Sequence, residues 1–104
     1  MKKIYPAAVP HDIGVIEELR NDPKLAEEFL RMALAEAGDE NGDYVLQQAL
    51  RLVAEARGMG RVAKAAGIPR ESLSRALSKR GNPRLSTLQA VTHALGLKLT
   101  VARV

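Results

Sequence analysis

Four polar side chains that are close together in the sequence could recognise another molecule. Arg70, Glu71, Ser74 and Arg75 follow one another at intervals of one, three and one residues, and this spacing places them on one outward arc of a helix. Together they supply two guanidinium groups, a carboxylate and a hydroxyl, a mixed set of hydrogen-bond donors and acceptors. The pattern predicts a helix face that contacts a polar partner.

Few residues of the chain could support catalysis or metal binding. The chain has no cysteine and two histidines, His11 and His93, so neither a thiolate metal site nor a nucleophile–base pair is expected. His93 falls on the outer side of its predicted helix, and the adjacent glutamate pairs of the first half are expected to be exposed helix faces. We therefore predict a protein that is not an enzyme and holds no metal and no cofactor.

Charge is distributed unevenly along the chain. Residues 1–58 contain seven Lys/Arg and eleven Asp/Glu, a balance of −4, whereas residues 59–104 contain nine Lys/Arg and one acid, a balance of +8. Basic surface of this strength attracts polyanions, because binding releases condensed counterions, and nucleic acid is the commonest polyanion inside a cell. On charge alone, an ordinary solvated basic face is the alternative.

The composition favours a small all-α protein. Aromatic residues are 3% of the chain and hydrophobic residues 46%, so the core must be built from Leu, Val, Ile and Ala, which suits packed helices. No apolar run approaches membrane-spanning length, and the N-terminus lacks the features of a signal peptide. We expect a soluble, cytoplasmic protein with no membrane partner.

Helical periodicity and turn residues predict a bundle of five to six helices. Asp22 is expected to cap the second helix, and Gly58 and Gly96 to end the third and the last. Gly67 is expected to take a positive φ at a sharp corner between the fourth and fifth helices. The predicted helices span residues 12–20, 23–37, 43–57, 61–66, 69–78 and 85–95.

The third predicted helix is the most apolar of the set. Its polar residues Gln47, Gln48, Arg51 and Glu55 occupy one narrow sector. We therefore expect this helix to be the most buried element and the floor on which the two short helices after it pack.

Residues 97–101 alternate apolar and polar side chains and are rich in β-formers, which predicts a short C-terminal β-strand. Its partner would be residues 2–5, where Pro6 ends the pairing, or the same strand of a second copy, because an unpaired strand edge templates association. A homodimer is expected, formed through this strand or through the N-terminal helices.

The stretch around the corner resembles a known family. It reads ARGMGRVAKAAGIPRESLSRALS from Ala56, followed by GNPRLSTLQAVTHALGL from Gly81. Residues 43–97 look like a helix-turn-helix domain of the Cro and phage-repressor type. The chain as a whole is similar to the addiction-module antidote proteins, relatives of the HigA-like antitoxins and of prophage DNA-binding proteins.

The resemblance implies roles for individual residues. The helix 69–78 would enter the major groove of a double-stranded DNA operator. Besides contact with a base, Glu71 has an equally open interpretation, an intrahelical ion pair with Arg75. For residues 79–84, which we call the basic loop, the alternative to phosphate contacts is an ordinary solvated loop. Base edges would be contacted by Arg70, Glu71, Ser74 and Arg75. Phosphates would be contacted by Arg61, Lys79, Arg80, Asn82 and Arg84.

The resemblance also implies a division of labour along the chain. Residues 1–42 would be an acidic helical region for partner binding or dimerisation, and residues 43–104 a helix-turn-helix DNA-binding domain with the C-terminal strand. The implied protein is an antitoxin that neutralises a small basic toxin, a ribonuclease, and represses its own operon. The alternative is a stand-alone prophage-type transcriptional repressor with no toxin partner.

The sequence departs from the family pattern at three helix starts. Where relatives often carry Ser or Thr as N-caps, this chain has Gly60, Pro69 and Arg84. None of these side chains accepts the usual capping hydrogen bond, so we expect weaker helix ends.

Overall fold

The computed structural model describes residues 13–35 and 42–103, and these residues form six α-helices. The all-α prediction with five to six helices is confirmed. The predicted strand partner at residues 2–5, His11 and the predicted helix end at 36–37 lie outside the described residues. The helices span Ile13–Asn21 (α1), Pro23–Ala35 (α2), Gly42–Arg57 (α3), Met59–Ala66 (α4), Arg70–Ala76 (α5) and Leu85–Ala94 (α6).

The helix α3 is the centre of the fold. α1, α2 and α4 all pack against it, and α4 in turn packs against α5 and α6. Leu50, Leu52 and Val53 of α3 are at most 1% exposed, which confirms that this helix is the most buried element. A single apolar cluster runs from Val15 in α1 to Leu95 after α6.

The helix α2 is held at its start by Asp22. The Oδ1 atom of Asp22 accepts hydrogen bonds from the backbone N–H groups of Lys24 and Leu25 at 3.1 and 3.3 Å, which confirms the predicted cap. Further along, Phe29 is 1% exposed on the inner side. The amphipathic pattern therefore aims the apolar side of α2 at α3.

The corner between α4 and α5 depends on Gly67. Its φ is 73°, in the left-handed region that favours glycine, as predicted. Its N–H donates to the carbonyl of Lys64 at 3.2 Å, and the N–H of Ile68 donates to that of Ala63 at 2.9 Å. These two bonds close the end of α4, and Pro69, with a ψ of 141°, then leads into α5.

Several helix bounds differ from the predictions. α4 begins at Met59 because the Gly58 carbonyl accepts from the N–H of Val62 at 3.0 Å, so Gly58 is the N-cap and Gly60 lies inside the helix. Pro69 and Arg84 are N-caps as expected, and neither makes a side-chain capping hydrogen bond.

The helix α5 is shorter than the predicted 69–78, because its C-terminal end is closed early. The N–H of Ser78 donates to the carbonyl of Arg75 at 3.2 Å, a spacing of three residues and not the four of an α-helix. The hydroxyl of Ser78 donates to the same carbonyl at 2.7 Å. α5 therefore ends at Ala76.

The predicted C-terminal strand is wrong. Residues 97–103, the tail, are neither helix nor strand, and no described segment forms strand pairing with them. The N–H of Leu97 instead donates to the carbonyl of Thr92 at 2.9 Å, which ties the tail to the end of α6. Leu97 and Leu99 are half-buried while Lys98 and Thr100 are exposed. The alternation over residues 97–100 therefore comes from packing of Leu97 and Leu99 on helices, and Val101, 94% exposed, does not continue it.

Candidate nucleic-acid interface

The outer face of α5 consists of Arg70, Glu71, Ser74 and Arg75, and all four side chains are exposed. On the opposite side, Leu73 and Leu77 are 0% exposed. α5 is thus anchored by two fully buried leucines, and its polar side chains are brought together in solvent as a single surface. Contacts between these four side chains and DNA bases stay a prediction.

The alternative interpretation of Glu71 gains no support from the geometry. Ion pairs with the same four-residue spacing form between Glu27 and Arg31 at 2.8 Å and between Arg51 and Glu55 at 3.1 Å. Among the described residues, no such pair joins Glu71 to Arg75. Both side chains are therefore available to an external partner.

The predicted phosphate-contacting residues all lie at the surface. Lys79, Arg80, Asn82 and Arg84 are exposed along the basic loop, which connects the end of α5 to α6. Arg61 is exposed near the start of α4. The basic loop follows α5 closely in the chain. Contacts of its polar side chains with phosphates stay predictions.

A contact that the sequence did not reveal holds the end of α5. Gln47 of α3 is 9% exposed, and its Nε2 atom donates to the carbonyls of Ser78 at 2.8 Å and Gly81 at 2.9 Å. The carbonyl of Ala76 lies 3.3 Å from the same atom. The only available signal was a glutamine in a mostly apolar helix, because its partners are 29 to 34 residues away.

Gly81 lies unusually close to the end of α5. A Cβ atom at this position would collide with the carbonyl groups of Ala76 and Arg75. The N–H of Gly81 also donates to the carbonyl of Ser78 at 3.0 Å. Only glycine permits such a close approach of two backbone segments, so the start of the basic loop is folded tightly onto the helix end.

An apolar groove of about 380 Å³ lies between α2, α3, α6 and the tail. Its lining is mostly leucine. The large apolar side chains that are exposed in the described part of the chain all line it, namely Leu34 (43%), Leu85 (63%) and Val101 (94%). The groove thus combines a cavity with protruding apolar residues.

The family of the chain is decided by a match that covers almost all of it. The family model described as "Probable addiction module antidote protein" matches residues 11–103. The chain belongs to this antidote family. A Haemophilus influenzae relative, described as "Uncharacterized protein", is 38% identical over 90 residues, which is 86% of this chain and 88% of the relative. No solved structure matches the chain.

The antidote-family match includes both the acidic first half and the basic second half. It confirms the family suggested by the sequence, whereas the HigA-like and Cro-type assignments stay predictions. In this antidote-family chain, residues 13–35 and 42–103 contain no cluster of three or more His, Cys, Asp or Glu that could hold a metal. None of the helices found there is long and apolar enough to cross a membrane.

Proposed function

We propose that this protein is an antitoxin that binds operator DNA through α5 and represses its own operon. The observation that carries the proposal is the outer face of α5, where four hydrogen-bonding side chains are exposed on a helix anchored by Leu73 and Leu77. α4, the Gly67 corner and α5 would act as a helix-turn-helix of the Cro and repressor type, with α5 in the major groove.

Each side chain of the outer face has a chemical counterpart on a base edge. The guanidinium groups of Arg70 and Arg75 can each donate two parallel hydrogen bonds to guanine O6 and N7. The Glu71 carboxylate can accept from cytosine N4, and the Ser74 hydroxyl can donate or accept. Such a set distinguishes base pairs, whereas the cations of the basic loop would bind any phosphate.

The balance of +8 over residues 59–104 supports a DNA partner. Counterion release gives a basic surface affinity for any duplex, and steers it toward DNA at long range. Specific recognition would then come from α5. We propose that the protein acts in this way as a binding protein in the cytoplasm, and that it is not an enzyme.

Residues 1–42, which belong to the half of the chain with a balance of −4 (residues 1–58), are proposed to bind a small basic toxin, a ribonuclease. The antidote family supports a neutralising role, and opposite charge favours rapid, salt-sensitive association. In the alternative function, a stand-alone repressor, α1 and α2 only complete the core. One observation favours this alternative, since Leu19 and Phe29 of these helices are 1% exposed in the shared apolar cluster.

We propose a homodimer in which a second copy covers the apolar groove. A two-fold interface must be self-complementary, because both copies present the same patch. A leucine-lined cavity beside the protruding Leu34, Leu85 and Val101 meets this requirement. Large contiguous apolar patches are also uncommon on monomers. A dimer would present two α5 helices to two operator half-sites.

Two measurements test the proposed function. Fluorescence anisotropy with the DNA upstream of the gene should show binding that random duplexes of equal length compete with only weakly. Co-expression with the product of the adjacent gene should yield a complex and suppress the activity of that product. Operator binding without any such complex would favour the stand-alone repressor, and equal affinity for all duplexes would contradict sequence-specific repression.

A further inference from the structure

We infer that Gln47 is a positioning residue for DNA binding: it holds the basic loop in a fixed register against the end of α5. Lys79 and Arg80 would then reach the phosphates that flank the bases contacted by α5. The inference rests on the proposed DNA-binding function and adds to it a buried residue that touches no DNA. In this inference, the side chain from α3 keeps the basic loop rigid.

The Nε2 atom of Gln47 lies within 3.3 Å of three backbone carbonyls, and we call this set of contacts the clamp. This atom carries two N–H groups, and the two shortest distances, 2.8 and 2.9 Å, lead to the carbonyls of Ser78 and Gly81. The third carbonyl, of Ala76, belongs to the last residue of α5. One side chain thus connects the helix end with two points at the start of the loop.

The clamp takes the place of the usual helix ending. Many helices end in a left-handed glycine that closes their last carbonyls, but the C-cap of α5 is Leu77, with a φ of −93°. The last carbonyls of a helix need donors from elsewhere. Ser78 supplies them for Arg75, and the Nε2 atom of Gln47 lies 3.3 Å from the carbonyl of Ala76.

Gly81 fixes the loop from the other side. Because a Cβ atom at Gly81 would collide with the Ala76 and Arg75 carbonyls, the loop can adopt this position only with glycine there. Ser78 and Gly81 are half-buried, whereas Lys79 and Arg80 between them are exposed. The two clamped residues therefore bracket two exposed cations in the chain.

Phosphate contacts fix the register of a protein on the duplex, so their position relative to the reading helix matters. If the clamp is removed, the cations of the loop no longer occupy fixed positions beside α5. Fewer of them would then contact phosphates together. The measurable result is a shallower dependence of the binding constant on salt, because fewer counterions are released.

The experiment compares Gln47→Met with Gly81→Ala in the full-length chain. Met is similar in size to Gln but has no N–H donor, and Gly81→Ala displaces the loop while leaving Gln47 intact. For each variant, binding to operator and random duplexes is measured across a salt series. We expect the slope of log K against log salt to fall by about one counterion per half-site, with roughly three- to tenfold weaker binding to both duplexes.

Val53→Ala is the matched control, since Val53 is fully buried in the same helix and its loss destabilises the core without touching the loop. Partial unfolding lowers the active fraction but not the number of phosphates contacted, so this control should keep the wild-type slope. In a Gln47→Met background, Lys79→Ala should change the slope by less than it does in the wild type.

Each outcome has a separate meaning. An unchanged slope in Gln47→Met, with DNA still bound, would overturn the clamp whatever the slope of Gly81→Ala. If Gln47→Met does not fold, an unchanged slope in Gly81→Ala would overturn the inference, because it would show that the position of the loop does not affect the phosphate contacts. A wild-type protein that binds no DNA in any salt would instead overturn the proposed function on which the clamp rests.

Discussion

The Nε atom of Arg20, at the end of α1, donates a hydrogen bond to the backbone carbonyl of Ala56 at 3.2 Å. Ala56 lies in the last turn of α3, just before the chain turns into α4. The contact spans 36 residues and satisfies one of the carbonyls that a helix end leaves without a partner. α1 thus holds the end of α3, from which the chain turns into the proposed DNA-reading helices α4 and α5.

Arg20→Ala should therefore destabilise the protein by about 1 kcal/mol, less than the roughly 1.5–3 kcal/mol of hydrogen bonds to charged groups, because Arg20 is exposed to solvent. Urea denaturation followed by circular dichroism measures the change. The control is Arg31→Ala, which removes the exposed ion pair with Glu27 and should cost less than about 0.5 kcal/mol. Equal losses in the two variants would contradict a special role for Arg20.

Arg75→Ala should remove a base contact from the outer face of α5. We expect roughly 1–3 kcal/mol weaker operator binding per half-site, with random DNA much less affected. Lys79→Ala should instead weaken binding to both duplexes similarly and lower the salt slope by about one counterion per half-site. Salt titrations on both duplexes measure these effects. An Arg75→Ala protein with full operator preference would show that α5 does not read the sequence.

Gly67→Ala should destabilise the corner by about 1–2 kcal/mol, because a side chain at a φ of 73° is strained. Gly60→Ala is a matched control, since an added Cβ meets nothing within 4 Å at either position and Gly60 lies inside α4. Alanine there should stabilise by about 0.5–1 kcal/mol. Thermal denaturation compares them, and a harmless Gly67→Ala would argue against the left-handed turn.

Leu85→Glu should weaken the homodimer. Leu85 is 63% exposed at the groove, so the monomer should tolerate a carboxylate that a dimer interface would have to desolvate. Sedimentation equilibrium should show a shift toward monomer, while circular dichroism stays unchanged. The exposed Ser86→Glu serves as the control beside it. A variant that remains fully dimeric would place the interface elsewhere, and loss of the toxin complex alone would identify the toxin as the occupant.

Local signals predicted the elements that carry the proposed site. Asp22 caps N–H groups two and three residues further along the chain, and Gly67 forms a left-handed turn. Both roles could be predicted from neighbouring residues. The exposure of the outer face of α5 also followed from spacing within one helix. These features needed no knowledge of the rest of the fold.

Features set by distant contacts escaped prediction. The sequence places Gln47 in a narrow polar sector of α3 but gives no partner for it, whereas the side chain is 9% exposed and bonded to carbonyls about 30 residues away. The carbonyl of Ala76, the last residue of α5, lies 3.3 Å from the Nε2 atom of the same glutamine. The tail showed a two-residue alternation typical of a strand, but packing on helices produces the same alternation, and strand pairing requires a partner that the pattern cannot specify.

The packing order of the helices has a consequence for how the chain folds. All the main helix contacts join elements that are adjacent in the chain or separated by one helix, such as α1 with α3 and α4 with α6. Such a topology has a low contact order, so little loop-closure entropy opposes the transition state. The described helices should therefore fold on the timescale of about microseconds to milliseconds that is typical of helical bundles.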